Sequence, residues 1–111
     1  MILTTVGTHD KGFERLVAAM DELGAEVDET IVMQYGSAQY EPKHTQGFRW
    51  TDAAHLEQLA QDARVIVSHA AAGSILMALR RNKPLVLVPR LPEFGEVIDD
   101  HQSQLARALA A

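Results

Sequence analysis

Four short apolar runs, rich in β-branched residues, punctuate the chain: Ile2 to Val6, Thr30 to Tyr35, Arg64 to Ser68 and Pro84 to Val88. They are nearly continuous rather than alternating, as strands buried on both faces of a parallel sheet are. Between the first two, Phe13, Leu16, Val17, Met20 and Leu23 are spaced i, i+3, i+4, i+7 and i+10, which predicts a helix with one apolar stripe, ended by Gly24. Asp52 or Thr51 is placed to cap a second helix whose inward face is Leu56, Leu59, Ala60 and Ala63, with a short strand at Phe48 to Trp50 ahead of it. Ser74 is expected to cap a third helix running to about Arg81, after which Lys83-Pro84 returns the chain to strand. Ile98, Gln102, Leu105, Ala106 and Leu109 outline a fourth helix. The order β-α-β-(β)-α-β-α-β-α predicts an α/β fold, a Rossmann-like doubly wound parallel sheet. The polar, aperiodic stretch Gly36 to Gly47, with Pro42 inside it, is expected to be an exposed loop, and its length marks it as a candidate for function.

A chain of 111 residues holds one core and is too short for two, so residues 1–111 are expected to form one domain. The formal charge of -5, with no concentration of Lys and Arg, disfavours nucleic acid as a partner. The absence of cysteine excludes disulfides and thiolate metal sites and fits a reducing cytoplasm. Val65 to Leu79, free of Asp, Glu, Lys and Arg, is shorter than the roughly 20 apolar residues of a spanning helix. Met1 to Val6 carries no basic leader and no small-residue cleavage site, so a first strand is expected there rather than a secretory signal.

Ligands of open α/β sheets bind outside the carboxyl ends of the strands, which directs attention to Gly7-Thr8-His9, Gly36-Ser37, His69 to Ser74 and Pro89-Arg90. The His69 to Ser74 loop combines small residues with the start of a helix, whose free N–H groups and dipole favour a phosphate. The same small residues also suit a tight strand-to-helix turn that binds nothing, and His69 alone is equally a histidine hydrogen-bonded in place. Arg90 reads either as a bidentate ligand of phosphate or a sugar carboxylate, or as a surface ion pair. Asp100-His101-Gln102 offers groups suited to sugar hydroxyls, while Asp99-Asp100 is also what a helix start favours electrostatically. No P-loop is present, and Gly7 lacks the further glycines of a dinucleotide fingerprint. No Ser stands in a nucleophile elbow, and the five histidines lack ligand spacing, so neither a metal nor another cofactor is expected.

Several of these segments together resemble one family. Val6-Gly7-Thr8, Gln34-Tyr35-Gly36, Val67-Ser68-His69-Ala70-x-Ala72-Gly73-Ser74, Lys83 to Arg90 and Asp100-His101-Gln102-x-Gln104-Leu105-Ala106 are similar to the C-terminal domain of glycosyltransferase family twenty-eight, in the same order and over nearly the whole chain. Within it the likeness is to the small subunits of split enzymes, both bacterial exopolysaccharide and capsule glycosyltransferases and the eukaryotic dolichol-pathway N-acetylglucosaminyltransferase. The resemblance implies the C-terminal half of a GT-B architecture, cytoplasmic and held at the inner face of the membrane by a membrane-anchored partner subunit. That partner would bind the acceptor and supply the general base. The chain would then carry the donor side of an inverting, UDP-sugar-dependent hexosyl transfer to a lipid-linked saccharide, active only as the heteromer. Carried over position by position, the donor contacts would be Gly7, Thr8, His9, His69, Ala70, Gly73, Ser74, Arg90, Asp100 and Gln102. Two positions depart from the family pattern: Ala71 stands where relatives often have glycine, and Met77 where a glutamate commonly holds the ribose hydroxyls. The family also usually continues beyond this length, which implies a C-terminally shortened version. Two rivals are a non-catalytic nucleotide-sugar or partner-binding module of the same fold and a receiver-like signalling domain. The latter lacks the acidic cluster expected after strand one.

Overall fold

A computed structural model describes residues 1–96 and 101–110. Its elements are β1 (Ile2–Thr5), α1 (Glu14–Glu26), β2 (Ile31–Gln34), β3 (Gln46–Phe48), α2 (Ala53–Asp62), β4 (Val65–His69), α3 (Ala72–Arg80), β5 (Leu85–Val88), a 3-10 turn (Pro92–Phe94) and α4 (His101–Ala110). The five strands are all parallel, in the order β3-β2-β1-β4-β5. The expected Rossmann-like doubly wound sheet is therefore the observed one, reversing direction at β1. Among the described residues no helix is long and apolar enough to cross a membrane.

Strand side chains alternate between two cores. On one face Ile2, Val6, Ile31, Met33 and Val67 pack against Phe13, Leu16, Val17 and Met20 of the α1 segment. On the other, Leu3, Val32 and Ile66 pack against Ala60 and Ala63 beneath α2 and against Met77 and Ala78 of α3. Each strand is thus covered from both sides near the sheet centre, which is why its sequence reads as an unbroken apolar run.

Local details differ from the periodicity. The helix α1 continues past Gly24 to Glu26. A Cβ at Gly24 would lie 2.6 Å from the His44 carbonyl, so this glycine admits a neighbouring loop rather than stopping the helix. Strand β3 is Gln46–Phe48, earlier than Phe48 to Trp50, and beyond it Tyr35 N–H bonds the Phe48 carbonyl and Gly36 N–H the Arg49 carbonyl. Asp52 caps α2 as expected, accepting from His55 N–H at 2.8 Å. Ala71, not Ser74, is the N-cap of α3, and it offers no side-chain cap. The expected helix residue Ile98, with Asp99, Asp100 and Ala111, lies outside the described residues.

The long β2–β3 connection is tied down from within α1. Asp21, fully buried, accepts from the Tyr40 hydroxyl (3.0 Å), Lys43 N–H (3.0 Å), His44 N–H (2.9 Å) and the Thr45 hydroxyl (3.0 Å). Burial opposes its ionisation, but these donors outweigh burial, so its carboxyl titrates below the ordinary carboxylate range. Glu14 holds the near end of the loop through Gln39 N–H and Tyr40 N–H, and Arg49 holds the carbonyls of Gly36 and Ala38.

Candidate functional site

A cleft of about 310 Å³ opens at the carboxyl ends of β1, β2 and β4. One wall is Trp50, Thr51 and Leu56, from the β3–α2 connection and α2; the other is Ala71, Gly73, Ser74 and Met77 of α3 and its cap. Thr5, Gly7, Thr8, Gln34 and His69 line the remainder.

The α3 wall follows from the turn that precedes it. Ala71 is extended and has no side chain able to cap, so among the described residues the first N–H groups of a nine-residue helix have no side-chain acceptor. Because α3 begins before Ser74, that hydroxyl stands in the first turn, on the cleft wall, instead of closing the helix end. Gly73 faces open space: nothing lies within 4 Å of where its Cβ would be. Gly73 and Ser74 therefore line the cleft from the first turn of a helix, with open space over Gly73, an arrangement suited to an anion.

The β1–α1 loop is shaped by two buried polar residues. The Gln34 amide oxygen accepts from the Thr5 hydroxyl (2.7 Å) and from Val6 and Gly7 N–H, while its nitrogen donates to the Gly7 and Arg49 carbonyls. Every valence of that amide is used, and it fixes the turn at Gly7. Gly7 itself has φ +75, and a Cβ there would lie 2.5 Å from Nε2 of His69, so both the backbone and the neighbouring ring require glycine. From the other side, the Arg90 guanidinium donates to the carbonyls of Lys11 (2.9 Å), Glu96 (3.3 Å) and Val6 (3.3 Å), and it stands 4.7 Å from the centre of the Phe13 ring. Glu96 in turn accepts from Arg15 (2.9 Å) and Leu91 N–H (3.0 Å).

His69 is 7% exposed. Burial, with Arg90 and His9 nearby, brings its pKa down to about 4, so its ring is neutral at pH 7. Its Nδ1 lies 3.5 Å from the Gln102 amide nitrogen, and the Gln102 oxygen accepts from Arg90 N–H at 2.9 Å.

Of the residues expected at the donor site, the cleft brings together Gly7, Thr8, His69, Gly73 and Ser74. Ala70 is 1% exposed and off the cleft. The ring of His9 accepts from Lys11 N–H beside Asp10 rather than lining the cleft. Arg90 is 1% exposed and off the cleft, its two terminal nitrogens donating to backbone carbonyls inside the protein while Nε has no partner among the described residues, so it is not the surface ion pair that was one reading of it. Gln102 reaches the site through His69, and Asp100 lies outside the described residues. Sequence reasoning missed Trp50, Thr51, Leu56, Thr5 and Gln34. The signal for Trp50 was available: it is the lone tryptophan, just beyond a strand end and half exposed.

The chain is 42% identical over 59 residues to the UDP-N-acetylglucosamine transferase subunit ALG13 of Eremothecium gossypii, a match covering 52% of the chain and 27% of that protein. To the subunit of the same name from Mus musculus it is 35% identical over 86 residues, 71% of the chain and 7% of that protein. To that of Homo sapiens it is 30% identical over 121 residues, 97% of the chain and 10% of that protein. The chain thus spans about a quarter or less of the length of these relatives. In three dimensions it is similar to the glycosyltransferase SnogD from Streptomyces nogalater, with a TM-score of 0.60 and 25% identity over 79% of this chain and 25% of that one. The model of the glycosyltransferase family 28 C-terminal domain matches residues 1–111, and the chain belongs to that family.

Proposed function

We propose that the chain is the donor-binding half of an inverting GT-B glycosyltransferase, moving a sugar from a UDP-sugar to a lipid-linked saccharide in cell-surface polysaccharide synthesis. The observation that carries this reading is the uncapped start of α3, opening with Gly7 and His69 into a cleft whose opposite wall is Trp50. In that cleft the diphosphate meets the free N–H groups of Gly73 and Ser74, where helix-end donors also stabilise the charge of departing UDP. The uracil ring stacks on Trp50 beside Leu56. Met77, 4% exposed, gives the ribose an apolar wall, so the hydroxyls of Thr51 and Thr8 are the groups left to bond it. The neutral His69 sits against Gly7, away from any acceptor, and the general base belongs to a membrane-anchored, acceptor-binding partner subunit. That partner holds the chain at the cytoplasmic face of the membrane. Because the relatives are named UDP-N-acetylglucosamine transferase subunits, UDP-N-acetylglucosamine is the first donor to test.

Titration calorimetry with UDP, UDP-N-acetylglucosamine, UDP-glucuronate and ADP tests the reading, with binding expected for the uridine nucleotides alone. No uridine-nucleotide binding, even with the partner subunit present, overturns it. Ser74→Asp places a negative charge at the phosphate and is expected to weaken UDP about tenfold, roughly 1.4 kcal/mol; unchanged affinity moves the site elsewhere. Met77 favours a second reading, a non-catalytic nucleotide-sugar-binding module. Binding of the donor without transfer by the assembled pair identifies that case.

A further inference from the structure

Gln102 was expected to touch a ligand, yet the structure gives both ends of its amide to protein groups. One partner settles which way the amide faces. Arg90 N–H is a backbone group and only donates, so the Gln102 oxygen must face it, as the 2.9 Å bond has it. A flipped amide would set N–H against N–H. The Gln102 NH₂ is thereby turned to His69 Nδ1, 3.5 Å away, and that nitrogen can only accept. A neutral imidazole that accepts at Nδ1 carries its proton on Nε2. Nε2 is the ring atom lying nearest the position of a Cβ on Gly7, and Gly7 and His69 both line the cleft.

We propose that Gln102 is a positioning residue: anchored on Arg90 N–H, it fixes His69 in the tautomer that presents Nε2–H beneath the Gly7 turn as a donor to the ligand's diphosphate. The chain of contacts runs from α4 through the loop after β5 to the end of β4, so the helix farthest along the sequence sets the polarity of the site. Among the described residues, the charged or titratable groups facing His69 are Arg90 from the loop after β5 and His9 from the β1–α1 loop. Both disfavour a second proton, which leaves the choice of tautomer to Gln102. The tautomer belongs to the free protein; its role toward a diphosphate rests on the function proposed above.

Side-chain ¹⁵N spectra of His69 in the free full chain read the tautomer directly. The expected result is a pyridine-like Nδ1 and a pyrrole-like Nε2; a pyrrole-like Nδ1 overturns the proposal. Gln102→Glu has the same shape and still accepts from Arg90 N–H, but its other oxygen can only accept. At about pH 8 it should turn Nδ1 pyrrole-like and weaken UDP about tenfold. Gln102→Met adds no charge and releases the ring, so averaged nitrogen signals and about a twofold loss are expected. If Gln102 only holds α4 in place, Gln102→Glu retains full affinity, and that outcome, or a tautomer that does not respond to either variant, overturns the proposal. If the wild type does not bind UDP at all, the proposed function fails while the spectra still decide the tautomer.

Discussion

The β2–β3 and β4–α3 connections are opposites. The first is long, polar and carries Pro42, and its length alone marked it for function; the second is a tight turn from His69 to Ala72. Yet none of the residues lining the cleft comes from the long one between Gly36 and Gln46, and His69, Ala71, Gly73 and Ser74 come from the short turn and the helix start it leads into. The difference lies in where hydrogen bonds end. In the long loop, N–H groups and hydroxyls converge on Asp21 and Glu14, and carbonyls on Arg49, so the loop's polarity is consumed by the fold. In the short turn the helix start has no cap and His69 keeps one nitrogen on the cleft side. Unspent donors, rather than loop length, mark the place where a ligand can be met.

The sharpest way to break this contrast is Asp21→Ala, which removes a buried acceptor from several part-buried donors at once. It should cost about 3 kcal/mol in urea unfolding while leaving nucleotide affinity unchanged; a loss of affinity comparable to the loss of stability would show that the long loop shapes the cleft after all. Acid separates the two regions next. His69 has a folded pKa of about 4, below its ordinary 6.5, so the unfolded chain binds its proton more readily and stability falls as pH drops from 6.5 toward 4. The expected loss is about 2 kcal/mol by about pH 5, and His69→Gln should remove that slope. Asp21, with its pKa lowered, contributes stability above the ordinary carboxylate range that is lost only at still lower pH, so hydrogen exchange on acidification should appear first around His69 and later around Lys43 and His44. Gly73→Ala is the smallest effect. Its Cβ meets no protein atom and relieves a helical glycine, raising stability by about 0.5 kcal/mol, while crowding the cleft enough to weaken UDP about threefold. Improved stability with unchanged affinity would put the phosphate off Gly73.

The sheet was readable because strands covered on both faces leave long apolar runs, and Ile2 to Val6 or Arg64 to Ser68 admit little else. Helix ends were less readable. Gly24 looks like a stop in one dimension, and its real reason, the His44 carbonyl standing where a Cβ would go, is a contact across the fold. Ser74 has the chemistry of a cap but is bypassed by Ala71, since the turn after His69 is already helical by Ala72. Arg90 shows the limit most clearly. An arginine after a strand has no mark in the sequence telling whether it faces a ligand or, as here, the carbonyls of Val6, Lys11 and Glu96. The strand-end rule concerns backbone position, and the structure brings Gly7, Thr8, His69, Gly73 and Ser74 to one cleft. That rule does not say which way a side chain turns, hence Ala70 and His9 off the cleft and Trp50 overlooked on it.

The bonds from Arg90 to Val6 and from Arg15 to Glu96 join residues separated by 84 and 81 positions. Closing contacts of that span costs loop entropy that local pairings do not, which favours their forming after the local ones. On a ribosome, β1, α1 and β2 can assemble while the remainder is still being made, but the loop from Val6 to Lys11 gains the support of Arg90 only after Arg90 itself has emerged. The first loop of the protein is therefore among the last to be finished, and an incomplete chain that already has its central strands still holds the edge above them open.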